Sequence, residues 1–221
     1  MFNFTLLFTL SSIGISYYFF KTNFDNFENL ISYSCQKILT LVGFQYEKIN
    51  IYKLPSKFII IGSHTSIYDF VIGALYYYAI LHPRYSCQIL MKKEFEKICT
   101  PLLSFFDPKF KLIQVDADKK NLTLQICNSL KSQDNYIIFI APEGTRKCTD
   151  NIRSGYWYIA KELDIPIIYL GIDFYSKKII IENERSPMKT FENEKKIFVQ
   201  SCVKYIPLYP ERCFWTKDFY N

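Results

Sequence analysis

Lys57-Phe-Ile-Ile-Ile-Gly-Ser-His-Thr-Ser-Ile-Tyr-Asp-Phe70 is the stretch on which the fold turns. Phe58–Gly62 is a short apolar run rich in β-branched residues and closed by glycine, the pattern of a strand buried on both faces. Four small or polar residues later the pattern becomes helical over about 66–81. The same change recurs downstream: Cys87–Met91 precedes a predicted helix at about 94–106, Lys111–Val115 one at about 120–132, and Tyr136–Ala141 one at Gly155–Leu163. Ile167–Ile172 then runs into Lys177–Ile181 through a predicted hairpin turn, and upstream a helix at roughly 28–42 ends in a turn at Gly43. Strands alternating with helices predict an α/β domain whose mainly parallel sheet is covered by helices on both faces. In such sheets ligands sit beyond the carboxyl ends of the strands, which directs attention to the residues just after each strand.

After the first of these strands come His64 and, five residues on, Asp69 in the first turn of the next helix. A strand-to-helix turn brings such a carboxylate back to one imidazole nitrogen, fixing the tautomer and leaving the other nitrogen free to take a proton. Helix capping by Ser63 or Ser66 with Asp69 accounts for the same residues without chemistry, so the pair alone does not decide function. His82, at a helix end before Pro83 and without a nearby carboxylate, reads as a solvated C-terminal residue. After the strand 136–141 comes Pro142-Glu143-Gly144-Thr145-Arg146. A glycine that permits close approach, an exposed hydroxyl and amide, and a guanidinium suit a phosphate oxygen, with Glu143 placed to orient the arginine or an acceptor hydroxyl. The same residues also make an acceptable β-turn bearing a surface arginine.

Composition narrows the partners. Charged residues are 22% and hydrophobic residues 49% of the 221, which opposes disorder and favours contact with an apolar phase. The net charge of +6 favours anionic partners, but the lysine pairs are scattered and no zinc-finger or helix-turn-helix spacing occurs, so no nucleic-acid face is expected. Seven cysteines without a Cys-x-x-Cys read as reduced thiols in a cytosol-facing domain, with no disulfide framework and no metal site. Residues 1–20 carry no charged side chain; as a helix they would be about 30 Å long, close to the thickness of a hydrocarbon core. With Lys21, Lys37, Lys48, Lys53 and Lys57 following, the expectation is a helical membrane-associating segment over 1–50 and a cytoplasm-facing α/β domain over 51–221. A soluble amphipathic helix capping the core is the alternative for residues 1–20. The aromatic runs Tyr76–Tyr78 and Tyr156–Tyr158 are expected in the core, with an acyl groove or a bilayer interface as the other reading.

Taken in order, each at a strand end, the two motifs resemble those of the 1-acylglycerol-3-phosphate acyltransferase family, Asn/Asp-His-x-x-x-x-Asp and Phe-Pro-Glu-Gly-Thr-Arg-Ser. His64 and Asp69 match the first, and Pro142, Glu143, Gly144, Thr145 and Arg146 the third. Met91-Lys92-Lys93-Glu94-Phe95 looks like the family's Lys-x-Glu-Leu segment and Ile165-Pro166-Ile167-Ile168 like its Val-Pro-Ile-Val motif, so the resemblance spans roughly 55–175. It implies that His64, held by Asp69, deprotonates the hydroxyl of a lysophospholipid that attacks acyl-CoA or acyl carrier protein. It also implies that Glu143, Gly144, Thr145 and Arg146 bind the acceptor's phosphate, and that no cofactor or metal takes part. The expected partners are membrane lipids and the thioester donor. Three positions depart from the pattern. Ser63 precedes the histidine, Lys147 follows Arg146, and Ala117 follows Val115-Asp116 where the family's second motif ends in arginine. Lys119 or Lys120 are the candidate substitutes, though a lysine does not reproduce a bidentate fork. A different lysophospholipid or polar-lipid acceptor, a silent lipid-binding protein of the same fold, and an ester or thioester hydrolase are the rival readings.

Overall fold

Isoleucine-rich runs build the centre of a seven-stranded sheet, as expected where parallel strands are buried on both faces. The computed structural model describes residues 27–47, 49–82, 84–92, 110–115, 122–213 and 215. Its strands are β1 (Gln45–Tyr46), β2 (Lys57–Ile61), β3 (Ser86–Lys92), β4 (Phe110–Val115), β5 (Tyr136–Ile140), β6 (Ile167–Asp173) and β7 (Lys178–Ile181). They lie in the order β1-β7-β6-β2-β5-β3-β4. Every neighbouring pair is parallel except β6 with β7, the predicted hairpin.

Alternation along the strands sorts two cores, because successive side chains point to opposite faces. Ile59, Ile61, Ile138, Ile167 and Tyr169 pack under α3 (Leu122–Leu130), α4 (Gly155–Leu163) and α5 (Phe191–Cys202). Phe58, Ile60, Ile137, Ile168 and Leu170 pack under α1 (Phe27–Leu41) and α2 (Ile67–Tyr76). Helices therefore cover both faces, as the strand–helix alternation predicts.

β2 and β5 are neighbours in register, with Ile61 opposite Ile140, and Gly62 N donates to Ile140 O at 3.3 Å. Gly62 also lies against β6: a Cβ there would stand 2.7 Å from Leu170 O, so only glycine lets β2 end between its two partners. Two strands ending side by side place the segment after β2 next to the segment after β5, which is how motifs far apart in sequence come to share one site.

Two expectations change. The helix predicted over 66–81 is α-helical only to Tyr76 and continues as a π-helical turn over Tyr77–Leu81, with His82 N donating to Tyr77 O at 2.8 Å. His82, expected in solvent, is only 4% exposed. The wider turn carries its ring against Tyr77 and Tyr78, and Nδ1 lies 3.4 Å from the Tyr77 hydroxyl, which itself donates to Tyr85 O at 2.8 Å. A ring packed against two tyrosines gains burial that a helix end alone does not supply.

α1 belongs to the same body as the sheet. Cys35 and Leu39 enter the core, and Ser32 Oγ donates to Ala79 O at 2.6 Å. No helix of the described residues is long and apolar enough to cross a membrane. The membrane segment expected at 1–20, the helix expected at 94–106 and the Lys93-Glu94-Phe95 segment lie outside the described residues. α5, which strand–helix alternation did not predict, is anchored by Phe198 and by Glu194. That carboxylate is fully buried and accepts from Arg185 at 2.9 and 2.5 Å and from Met188 N at 3.0 Å.

Candidate active site

Ser66 caps α2, its Oγ accepting from Tyr68 N at 3.0 Å and Asp69 N at 3.3 Å. Asp69 answers from the first turn: its Oδ2 accepts from Ser66 N and from Thr65 N, both at 2.6 Å, closing a capping box. That same oxygen lies 3.7 Å from His64 Nδ1. Capping and histidine orientation, alternatives in the sequence, are one arrangement in the structure. The helix start fixes the carboxylate and the carboxylate faces the imidazole, whose side chain is 27% exposed against 9% for Asp69.

A second anchor comes from the far end of the chain. Arg212, in a short 3-10 turn at Pro210–Arg212, donates from Nη1 to Thr65 O at 2.9 Å while its guanidinium stacks over Tyr209 at 4.1 Å. Cys213 beside it is buried, and burial pushes its thiol up to about 12, with Glu143 and Asp69 among its charged neighbours. No sequence signal singled out these residues; an arginine packed on an aromatic near the C-terminus is the only local hint.

His64 and Asp69 line a cavity of about 450 Å³ at the carboxyl ends of β2 and β5, within the ~300–1,000 Å³ typical of small-molecule sites. Part of its wall is apolar: Phe70, Gly73, Ala74 and Tyr77 from α2 and its π turn, with Ile89 from β3 and Phe139 from β5. From the loop after β5, Gly144, Thr145 and Arg146 also line the cavity, joined by Arg153. Gly144 takes φ +61°, a backbone conformation that side chains disfavour. Thr145 Oγ1 accepts from Lys147 N at 3.2 Å, and Gly144 N donates to Ala141 O at 3.0 Å, so the loop is tied to itself.

Of the four residues expected to bind substrate, Glu143 is placed differently from the rest. It is 6% exposed, is absent from the cavity wall, and its Oε2 has no hydrogen-bond partner among the described residues. Burial lifts its carboxyl up to about 7, against smaller opposing pulls from backbone amides, Ser63 and His64. Ser63 Oγ also stops short of hydrogen-bond geometry with any described residue, so proximity without a formed bond describes the Ser63–Glu143 pair. The charge of Glu143 is felt by the buried Tyr156, Cys202, Tyr205 and Cys213. Ala117, Lys119 and Lys120, where the second-motif departure falls, lie outside the described residues.

The aromatic runs divide. Tyr76, Tyr77, Tyr156 and Trp157 are buried as expected, Tyr77 and Tyr156 also reach the cavity, and Tyr158 is 54% exposed.

Comparisons with known proteins come from three directions. No curated protein matches the sequence. Among solved structures, the chain is similar to that of the 1-acyl-sn-glycerophosphate (LPA) acyltransferase PlsC from Thermotoga maritima, with a TM-score of 0.59 and 14% identity over 91% of each chain, a likeness of fold. The family model described as Acyltransferase matches residues 45–173, more than half of the chain and both motif loops, and on that match the chain belongs to the acyltransferase family.

Proposed function

We propose that the protein transfers a fatty acyl group from a thioester donor, acyl-CoA or acyl carrier protein, to the hydroxyl of a phosphate-bearing lysolipid such as 1-acylglycerol 3-phosphate. One observation carries the reading: His64, backed by Asp69, lines a single cavity together with a set of apolar side chains and the Gly144–Arg146 loop. An acyl chain fits the apolar side chains, an anionic headgroup the loop, and the reacting hydroxyl and carbonyl meet at the imidazole. The structurally similar protein is a 1-acyl-sn-glycerophosphate acyltransferase, which agrees with this reading.

In the proposed reaction Nδ1 of His64 faces Asp69 and Nε2 takes the proton of the acceptor hydroxyl as its oxygen attacks the thioester carbonyl. The tetrahedral intermediate collapses with cleavage of the C–S bond, and the proton held on Nε2 passes to the departing thiolate. An ester and a free thiol result, with no acyl-enzyme. Arg146 pairs with the phosphate, and Thr145 and the backbone at Gly144 complete its cradle. The uncharged residues 1–20 and the lipid nature of both substrates support a place at the cytoplasmic face of a membrane.

The test is transfer from labelled long-chain acyl-CoA to lysophosphatidic acid, other lysophospholipids and glycerol 3-phosphate by the detergent-solubilised protein, beside His64→Ala. Labelled phosphatidic acid formed by the wild type and lost in the variant is the expected result. Acyl transfer to another acceptor alone would replace the headgroup assignment. Free fatty acid released without any acceptor would replace transfer by hydrolysis. No turnover by folded protein with either donor type would leave a lipid-binding protein of this fold.

A further inference from the structure

Arg153 lies beyond both motifs, two residues before α4, yet it is built into the β5 loop. Its backbone N donates to Pro142 O at 2.9 Å, pinning it to the start of the Pro142–Arg146 turn. Its side chain crosses directly over Gly144: a Cβ on that glycine would stand 3.0 Å from Arg153 Nε and 3.1 Å from Cζ. Gly144 suits the place for its positive φ, and its missing side chain leaves room for the guanidinium.

The chain has five arginines, and three are committed to the scaffold. Arg84 donates to Ile51 O and Leu54 O, Arg185 to Glu194, and Arg212 to Thr65 O. Arg146 and Arg153 both line the cavity, together with His64. Among the described residues, no carboxylate and no hydrogen-bond acceptor engages the guanidinium of Arg153, an exposed residue. The carboxylate in the cavity wall, Asp69, already accepts from two backbone amides. An arginine whose backbone is tied to the β5 loop, whose fork no described residue engages, and which lines the same cavity as a second arginine offers paired N–H donors for a dianionic oxygen cluster.

We propose that Arg153 is a second phosphate-binding guanidinium of this site, gripping a substrate phosphate jointly with Arg146. The assignment rests on the transferase reading above. Phosphate is the shared chemistry of two sources, the acceptor's phosphomonoester and the phosphates of a coenzyme A donor.

The experiment measures kcat and KM of the full chain and of Arg153→Gln and Arg153→Lys. Acceptors are lysophosphatidic acid and its phosphate-free counterpart monoacylglycerol; donors are acyl-CoA and the phosphate-free acyl-pantetheine. A rise of tenfold or more in the lysophosphatidic acid KM of Arg153→Gln, absent with monoacylglycerol, assigns the acceptor phosphate. A rise in the acyl-CoA KM, absent with acyl-pantetheine, assigns the donor phosphate. In either case Arg153→Lys, which keeps the charge and loses the fork, falls between wild type and Arg153→Gln. Equal penalties with all four substrate pairs, or no penalty with any while the wild type turns over, overturn the assignment and leave the transferase reading standing. A wild type inactive with every pair overturns the transferase reading, and the assignment with it.

Discussion

Replacing Glu143 by glutamine should change how stability depends on pH, by an amount that follows from where the carboxyl sits. In the folded protein burial lifts its pKa from 4.5 to about 7. Between those values the unfolded chain has released the proton and the native chain still holds it, so native stability falls as pH rises, at about 1.4 kcal/mol per unit. Below about 4.5 both states are protonated and above about 7 both are ionised, so the slope is confined to that window. Between pH 5 and pH 8 the wild type is expected to lose roughly 2 to 3 kcal/mol through this group alone, a loss that Glu143→Gln does not share. Denaturant unfolding of both proteins at pH 5, 6.5 and 8, followed by tryptophan fluorescence, reads the difference, since Trp157 and Trp215 lie in the core on the same side of the sheet. The variant's advantage should grow with pH by that amount. Parallel curves for the two proteins would refute the argument, because they would mean that Glu143 ionises as freely folded as unfolded. The negative charge that appears as pH passes about 7 also lies beside His64, favouring the imidazolium formed during transfer. The wild type's kcat should therefore climb relative to the variant's over the same range.

Arg212→Met removes the bond to Thr65 O and keeps the bulk of the stem; hydrogen bonds from charged groups contribute about 1.5–3 kcal/mol. A kcat reduced about tenfold or more with both KM values unchanged is expected, and a rise in KM with kcat intact would contradict a positioning role. Gly73→Leu fills the apolar arm, since a Cβ at Gly73 meets nothing within 4 Å and the residue lines the cavity. Activity on long-chain donors should fall by roughly tenfold or more while short-chain donors are spared, and an equal fall on both would place the acyl chain elsewhere.

Much of the sheet was legible because its central strands are isoleucine runs bounded by glycine or polar residues, and burial on both faces demands that composition. β1 has only two residues, Gln45 and Tyr46, and exists because β7 offers it an edge, so nothing local announces it. α5 escaped because Phe191–Cys202 is strongly polar, with Glu194 as one of its most buried positions. A charge reads as solvent until the partner Arg185 is known. His82 failed for the related reason that packing of its ring against Tyr77 and Tyr78 shows only in the folded structure. At the site, His64, Asp69 and the Gly144–Arg146 loop were legible through spacing and strand ends. That Glu143 turns inward was not, because consecutive residues of a turn point in different directions. Arg153 and Arg212 carry no motif: one acts through a glycine nine positions away, the other through a carbonyl 147 positions away.

The capping box makes the two members of the proposed catalytic pair unequal in what their loss entails. His64 closes no turn, so a chain could shed its chemistry there and keep its scaffold. Asp69 holds two amides of the same turn, so losing it also frays the start of the helix whose residues wall the apolar arm. Drift toward an inactive lipid-binding descendant is therefore easier through position 64 than through position 69. An aspartate surviving at 69 in a relative without the histidine would be a relic of folding, not a sign of retained catalysis.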